Sequence, residues 1–187
     1  VNASRQPSAG ALFLDRDGTL IRDSGYIHRP EEVRLLPGVR SALKRALATH
    51  RLFILTNQSG IGRGYYAWQE AESVNARVLQ LLRLPKPGIE QIAMASEHPE
   101  ESLVYRKPSP RFILETIAWE HLDPAQCWMI GDRMDDIRTG IRAGIRAALL
   151  SKTPPRDPAS RVYCKQHAVP IFPSLAAFAQ RELSGRA

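Results

Sequence analysis

Short apolar runs alternate with longer stretches of helical periodicity along most of the chain, and this alternation restricts the fold more than any other feature. The runs occupy residues 11–14, 52–55, 89–95, 127–130 and 146–150, with a sixth candidate at 168–172. Runs this short, without polar alternation, fit strands buried on both faces. Between them, Val39, Leu43, Ala46 and Leu47 share one helical face, and Trp68, Ala71, Val74, Val78 and Leu81 share another. Phe112, Ile113 and Ile117 mark a third helix, with Ser109 placed as its N-cap and Pro110 at its first position. Ile137 and Ile141 lie one turn apart ahead of Gly144, a suitable helix end, and Ser174 can cap a last helix carrying Leu175, Phe178 and Leu183. Trp68 and Met129 read as core residues. Strand alternating with helix means βαβ units, so the expected fold is α/β: a mostly parallel central sheet with helices on both faces.

The chain has 187 residues, 43% of them hydrophobic, which suits a single domain over residues 11–187. Residues 1–10 are polar and are expected to form a flexible N-terminal tail. Residues 151–161, rich in Pro, Ser and charge, read as a surface loop. No apolar run approaches the ~20 residues that a membrane span requires, so no membrane partner is expected. Two cysteines, Cys127 and Cys164, could form one disulfide but fit better as reduced thiols in a cytoplasmic protein. The formal charge of +7 suits a nucleic acid, a membrane surface or a small anionic substrate and does not choose among them.

In parallel α/β sheets, ligands bind beyond the carboxyl ends of the strands. The residues just after the first, second and fourth runs are Asp15-Arg16-Asp17, Thr56-Asn57-Gln58-Ser59 and Gly131-Asp132, all polar apart from the glycine. If the strand direction continues past residue 14, Asp15 and Asp17 project to one face. Like charges this close repel unless a cation or a shared proton compensates. The pair therefore fits a cation site, or an acidic loop whose carboxylates cap nearby amides.

Asp15-Arg-Asp-Gly-Thr19 resembles the first motif of the haloacid-dehalogenase-like (HAD) phosphatases, and three further motifs follow in order. Thr56 resembles the second, Lys107 in Arg106-Lys-Pro108 the third, and Asp132 in Gly131-Asp-Arg-Met-Asp-Asp136 the fourth. The resemblance spans residues 12–150. It implies a Rossmann-like HAD fold and phosphoester hydrolysis through an aspartyl-phosphate. Asp15 would be the nucleophile, and Asp17 the acid and then the base. Thr56 and Lys107 would steady the phosphoryl group. Magnesium would be held by Asp15, the Asp17 backbone carbonyl and Asp132. Asp136 or Asp135 would orient Lys107 or a magnesium-bound water, or either would serve only as a favourable charge at a helix N-terminus.

Gly25-Tyr26, residues 56–64 and Arg106-Lys-Pro108 are similar to the branch containing histidinol phosphatases and heptose-bisphosphate phosphatases. By position, Asp23, Ser24, Gly25 and Tyr26 would line a substrate loop, and Asn57, Gln58 and Ser59 would cradle the phosphate and sugar. Arg106 would recognise a distal phosphate, and Arg133 stands where the family usually has lysine. The implied substrate is a small phosphorylated sugar, D-glycero-D-manno-heptose 1,7-bisphosphate. Histidinol phosphate and a nucleic-acid 3′-phosphate are the alternatives, and no nucleic-acid partner is expected. Many members carry a zinc loop of three Cys and one His before the third motif. The corresponding residues 95–106 contain no Cys and one His, His98, so no structural zinc is expected. Little chain remains for a cap domain, so the cap is expected to be minimal or absent, and the protein to be a monomer.

Overall fold

The computed structural model describes residues 10–98, 100–101 and 103–183. Six strands form one sheet: β1 (Gly10–Leu14), β2 (His50–Asn57), β3 (Ile89–Ala95), β4 (Trp128–Gly131), β5 (Arg146–Leu150) and β6 (Ile171–Phe172). Their order is β3-β2-β1-β4-β5-β6, and every neighbouring pair is parallel. The chain builds outward from β1 in one direction, then returns to place β4 on the other side of β1. The crevice beyond the carboxyl ends of β1 and β4 is therefore the switch point where such sheets bind ligands.

Among the described residues the helices are α1 (Val39–Ala46), α2 (Ser59–Gly62), α3 (Trp68–Leu82), α4 (Arg111–Glu120), α5 (Met134–Arg142), α6 (Pro158–Gln166) and α7 (Leu175–Glu182). Alternate strand residues face opposite layers. Leu12, Leu14, Leu52, Ile54 and Ile130 pack with Val39, Leu43, Val74, Val78 and Phe178 of α1, α3 and α7. Ala11, Phe13, Phe53, Leu55 and Met129 turn the other way, against Phe112 and Ile113 of α4. Ala147 and Leu149 meet Ile137 of α5 and Cys164 of α6 on that same side. Phe13 stacks on Phe53 at 5.2 Å and meets Phe112 edge-on at 6.2 Å. Each such fully buried side chain contributes roughly 1.5–3 kcal/mol. Helices thus cover both faces, and the sheet is wholly rather than mostly parallel. Between β1 and α1 the chain makes a single 3-10 turn at Pro30–Glu32 and two isolated bridges, Asp17 to Ile21 and Ile21 to Leu35, with no cap domain among the described residues. Both cysteines are buried and free.

Several local expectations shift. Trp68 is 39% exposed, because the core stripe of α3 runs through Ala71, Val74, Val78 and Leu82 and its first turn lies at the core's margin. Helix α4 starts one residue late, with Pro110 as N-cap. The Ser109 hydroxyl donates to the Val104 carbonyl at 2.7 Å and accepts the Arg111 N–H at 3.4 Å. The loop expected over 151–161 ends early, because Asp157 caps α6 by accepting the Ala159 and Ser160 amides and Pro158 supplies its first position. The sixth strand is only Ile171–Phe172. The tail expected over residues 1–10 lies outside the described residues except for Gly10, which opens β1.

Candidate active site

The β1 ladder runs directly into the site: the Asp15 N–H donates to the Ile130 carbonyl at 2.9 Å. This fixes Asp15 at the sheet edge, with only 6% of its surface exposed. Lys107 Nζ donates to Asp15 Oδ1 at 2.5 Å and to Asp136 Oδ1 at 2.6 Å. The other Asp136 oxygen accepts the Arg133 N–H at 3.0 Å, at the start of α5. Asp136 therefore both caps its helix and holds the lysine. Two glycines permit these approaches. A Cβ on Gly131 would lie 2.1 Å from Asp136 Oδ2, and one on Gly18 would lie 2.2 Å from Asp132 Oδ2. Gly18 also has φ +85°, a conformation that disfavours any side chain.

Lys107 is fixed through its backbone as well. Its N–H donates to Asn57 Oδ1 at 2.9 Å, and Asn57 Nδ2 donates to its carbonyl at 3.1 Å. The Asn57 amide is thus engaged at both ends with the lysine's main chain. Thr56 lies buried behind the cleft wall, its hydroxyl donating to Asp17 Oδ2 at 3.3 Å. Gln58 Nε2 donates to both Asp17 Oδ2 and Thr56 Oγ1, at 3.1 and 2.8 Å. Both oxygens of Asp17 also accept from the Arg16 guanidinium, with a closest approach of 2.9 Å.

Burial sets the electrostatics. It pushes the Asp15 carboxyl up to about 7; Lys107 opposes the shift, and Asp136 and Asp17 add to it. Burial and then Asp136 push Asp132 up to about 6, against the pull of Arg133. For Lys107, burial acts downward, but Asp136 and Asp15 outweigh it and hold the ammonium above the ordinary lysine value. Oxygens of Asp15, Asp132 and Asp136 lie within 4.8 Å of one another. Asp132 Oδ1 is buried with no hydrogen-bond partner. A set of crowded carboxylates with an orphaned oxygen, burial holding Asp15 and Asp132 above the usual carboxyl value, fits a hard divalent cation with oxygen ligands.

These residues face an open cleft of about 400 Å³, within the roughly 300–1,000 Å³ of small-molecule sites. Asp15, Asp17, Asp23, Gly25, Tyr26, Asn57, Gln58, Ser59, Arg106, Lys107, Arg133 and Asp136 all line it. Ser24, Thr56 and Asp132 are not among its lining residues: Ser24 is exposed, Thr56 buried and Asp132 half-buried. Arg133 bridges to Asp23 at 2.7 Å, tying the 23–26 loop to the start of α5. At 70% exposure of the arginine side chain, that pair adds little stability. Arg106 Nε is buried and unpartnered.

Three participants carry no obvious sequence signal. Arg16 is 1% exposed, and besides Asp17 it donates to Asn75 Oδ1 at 2.8 Å. Tyr66 donates to Gln58 Oε1 at 2.8 Å. A charged residue between two aspartates reads as exposed, and neither Asn75 nor Tyr66 lies in a motif. Only the unusual position of a polar Asn75 on the apolar face of α3 could have pointed inward.

Residues 104–176 match the HAD-hydrolase-like family model. A D-glycero-beta-D-manno-heptose-1,7-bisphosphate 7-phosphatase of Helicobacter pylori is 35% identical over 159 residues, covering 83% of this chain and 91% of the relative. One bearing the same name from Mesorhizobium japonicum is 36% identical over 149 residues, 74% of this chain and 68% of the relative. Among solved structures, the D,D-heptose 1,7-bisphosphate phosphatase from B. bronchiseptica, complexed with magnesium and phosphate, superposes with a TM-score of 0.80 at 24% identity. That match covers 95% of this chain and 99% of that one.

Proposed function

The chain belongs to the HAD-like hydrolases and is a phosphoric monoester hydrolase, and from that premise we propose that it cleaves a sugar bisphosphate by covalent catalysis on Asp15. The observation that carries this reading is the buried ammonium of Lys107 held between Asp15 and Asp136 at the sheet edge. Such an ammonium opposes protonation of the Asp15 carboxylate and aims it, and it lies where charge gathers on a phosphoryl group under attack. Asp15 attacks phosphorus. Asp17, poised on the cleft wall by Arg16, Thr56 and Gln58, gives a proton to the leaving oxygen. It then takes one from the water that hydrolyses the aspartyl-phosphate. Thr56 and Gln58 can turn from Asp17 to the phosphoryl oxygens. Magnesium at Asp15, Asp132 and the Asp17 backbone carbonyl would neutralise the repulsion between a carboxylate and a phosphate dianion.

The substrate we favour is D-glycero-D-manno-heptose 1,7-bisphosphate, cleaved at C7 in the cytoplasm during nucleotide-activated heptose synthesis for lipopolysaccharide, by a monomer. The names of the relatives support it. So does the unpartnered, buried Nε of Arg106 beside the cleft, which suits a second phosphate. The branch precedent leaves histidinol phosphate as the competitor. Phosphate release should be ranked by kcat/KM for heptose 1,7-bisphosphate, heptose 7-phosphate and histidinol phosphate. The bisphosphate is expected to lead by at least about tenfold, the value of one charge-assisted contact. Preference for histidinol phosphate, or equal rates with and without the C1 phosphate, would sink the substrate reading.

A further inference from the structure

Between the end of β3 and Lys107, none of the described residues lies in a helix or strand. Three successive amides ahead of the catalytic ammonium are held by side chains instead. The Tyr105 N–H donates to Glu97 Oε1 at 2.6 Å, the Arg106 N–H donates to the same oxygen at 3.1 Å, and the Lys107 N–H goes to Asn57. Asn57 is the last residue of β2 and Glu97 follows β3 by two residues, so adjacent strand ends each supply one acceptor. The turn holding Glu97 is itself backed by α2. A Cβ on Gly62 would lie 2.6 Å from the Ser96 carbonyl oxygen and 3.2 Å from Glu97 C. Burial pushes the Glu97 carboxyl up, but the amides of Tyr105, Arg106 and Val104 outweigh it and hold the group below the usual glutamate range.

We propose that Glu97 is a positioning residue: by gripping the amides of Tyr105 and Arg106 it sets where the Lys107 ammonium and the Arg106 guanidinium stand over the cleft. The proposal rests on the phosphatase reading of Lys107. A carboxylate accepting two amide N–H groups forms strong, directional hydrogen bonds. Lys107 is 3% exposed and makes two short contacts, so a small shift of its backbone breaks one of them. The outer side of the loop is tied down independently. The Tyr105 hydroxyl donates to Glu115 at 2.8 Å, and Ser109 holds the Val104 carbonyl. Loss of Glu97 should therefore loosen the catalytic side of the loop without unfolding the domain.

The test uses Glu97→Ala and Glu97→Gln in the full chain, assayed with p-nitrophenyl phosphate and magnesium beside wild type and Asp15→Asn, with melting temperatures. Glu97→Ala is expected to lose kcat by roughly 10–100-fold, as for partners that orient a reactive group. Glu97→Gln keeps a carbonyl oxygen at the same place and is expected to return to within about threefold of wild type, its neutral bonds being about half as strong. A folded Glu97→Ala enzyme with wild-type kcat would overturn the proposal. So would a Glu97→Gln enzyme as impaired as Glu97→Ala, and if Glu97→Ala fails to fold, Glu97→Asp, whose carboxylate stops one methylene short of the two amides, takes its place: lowered kcat is expected and wild-type kcat would overturn the proposal. Near-normal turnover by Asp15→Asn would instead remove the covalent reading of Asp15 and of the Lys107 ammonium beside it, a result the Glu97 pair cannot mimic.

Discussion

Lys107 Nζ and Asp15 Oδ1 stand 2.5 Å apart although 92 residues separate them in the chain. Both groups are almost wholly buried, and a second carboxylate, Asp136, touches the same ammonium at 2.6 Å. The three charges form a unit whose members depend on one another. Each carboxylate offsets the desolvation of the lysine, and the lysine offsets that of each carboxylate.

Removing the cation should damage both chemistry and stability. Lys107→Met leaves two buried carboxylates facing each other and takes away the donor nearest the phosphoryl charge. We expect kcat to fall by about 10²–10³-fold and folding stability by about 3–5 kcal/mol, read from initial rates and urea unfolding. A variant of unchanged stability would show that the pair is not the buried unit described.

The raised carboxyls of Asp15 and Asp132 give the metal-free protein a pH signature. Their usual value is 3.8, and in the fold they titrate near 7 and 6. The folded state holds these protons more tightly than the unfolded chain does. Their stabilising contribution is complete below the usual value and is lost as pH rises through about 6 and then 7. The raised ammonium of Lys107 does not oppose this, since a base with a raised value keeps its contribution until strongly alkaline pH. In chelator, the contribution of these two groups to Tm should fall from about pH 4 to about pH 7, more gently above about 6 where Asp15 alone still titrates, and fall less in Asp15→Asn. Added magnesium should flatten the decline, because the cation takes the place of the protons. A metal-free Tm that rises across this window would contradict the assignment.

Gly18→Ala should act through the proposed metal site. Its Cβ would collide with the Asp132 carboxylate, and the left-handed backbone would cost about 1–2 kcal/mol. The magnesium concentration for half-maximal activity should rise by roughly tenfold or more. A variant with wild-type magnesium dependence would place the metal elsewhere.

Arg16→Met should separate the anchoring of Asp17 from the proposed role of Asp15. It removes the bidentate partner of Asp17 and the bond to Asn75. The expected loss is about 10–100-fold in kcat with KM little changed, together with about 3–5 kcal/mol of stability. Arg16→Lys keeps the charge but not the fork, so it should recover only part of either. A change confined to KM would argue that Arg16 serves substrate binding instead.

The fold was legible where a single physical rule dominates. Strand positions follow from apolar runs, and β3 and β5 fall where their runs do. The polar residues after β1, β2 and β4 converge on one crevice because parallel strands all end on one edge. What escaped the sequence depends on contacts across the chain. Trp68 keeps helical spacing with Ala71, yet only the folded packing shows that its turn overhangs the core. Asp157-Pro158 is a cap signal that a Pro-rich, charged stretch hid. Arg16 looks like a surface residue by type, and its burial appears only when Asn75 from α3 comes to meet it. Glu97 sits in no motif, and its role emerges only when its carboxylate meets two amides eight and nine residues onward.

The central claim is that phosphate passes through Asp15, and the stereochemical course at phosphorus tests it most directly. A substrate ester carrying a phosphoryl group made chiral with oxygen isotopes should be turned over and the released phosphate analysed for configuration. Two in-line displacements, first by Asp15 and then by water, invert twice, so net retention is expected. Net inversion would mean direct attack by water and would contradict the covalent role of Asp15.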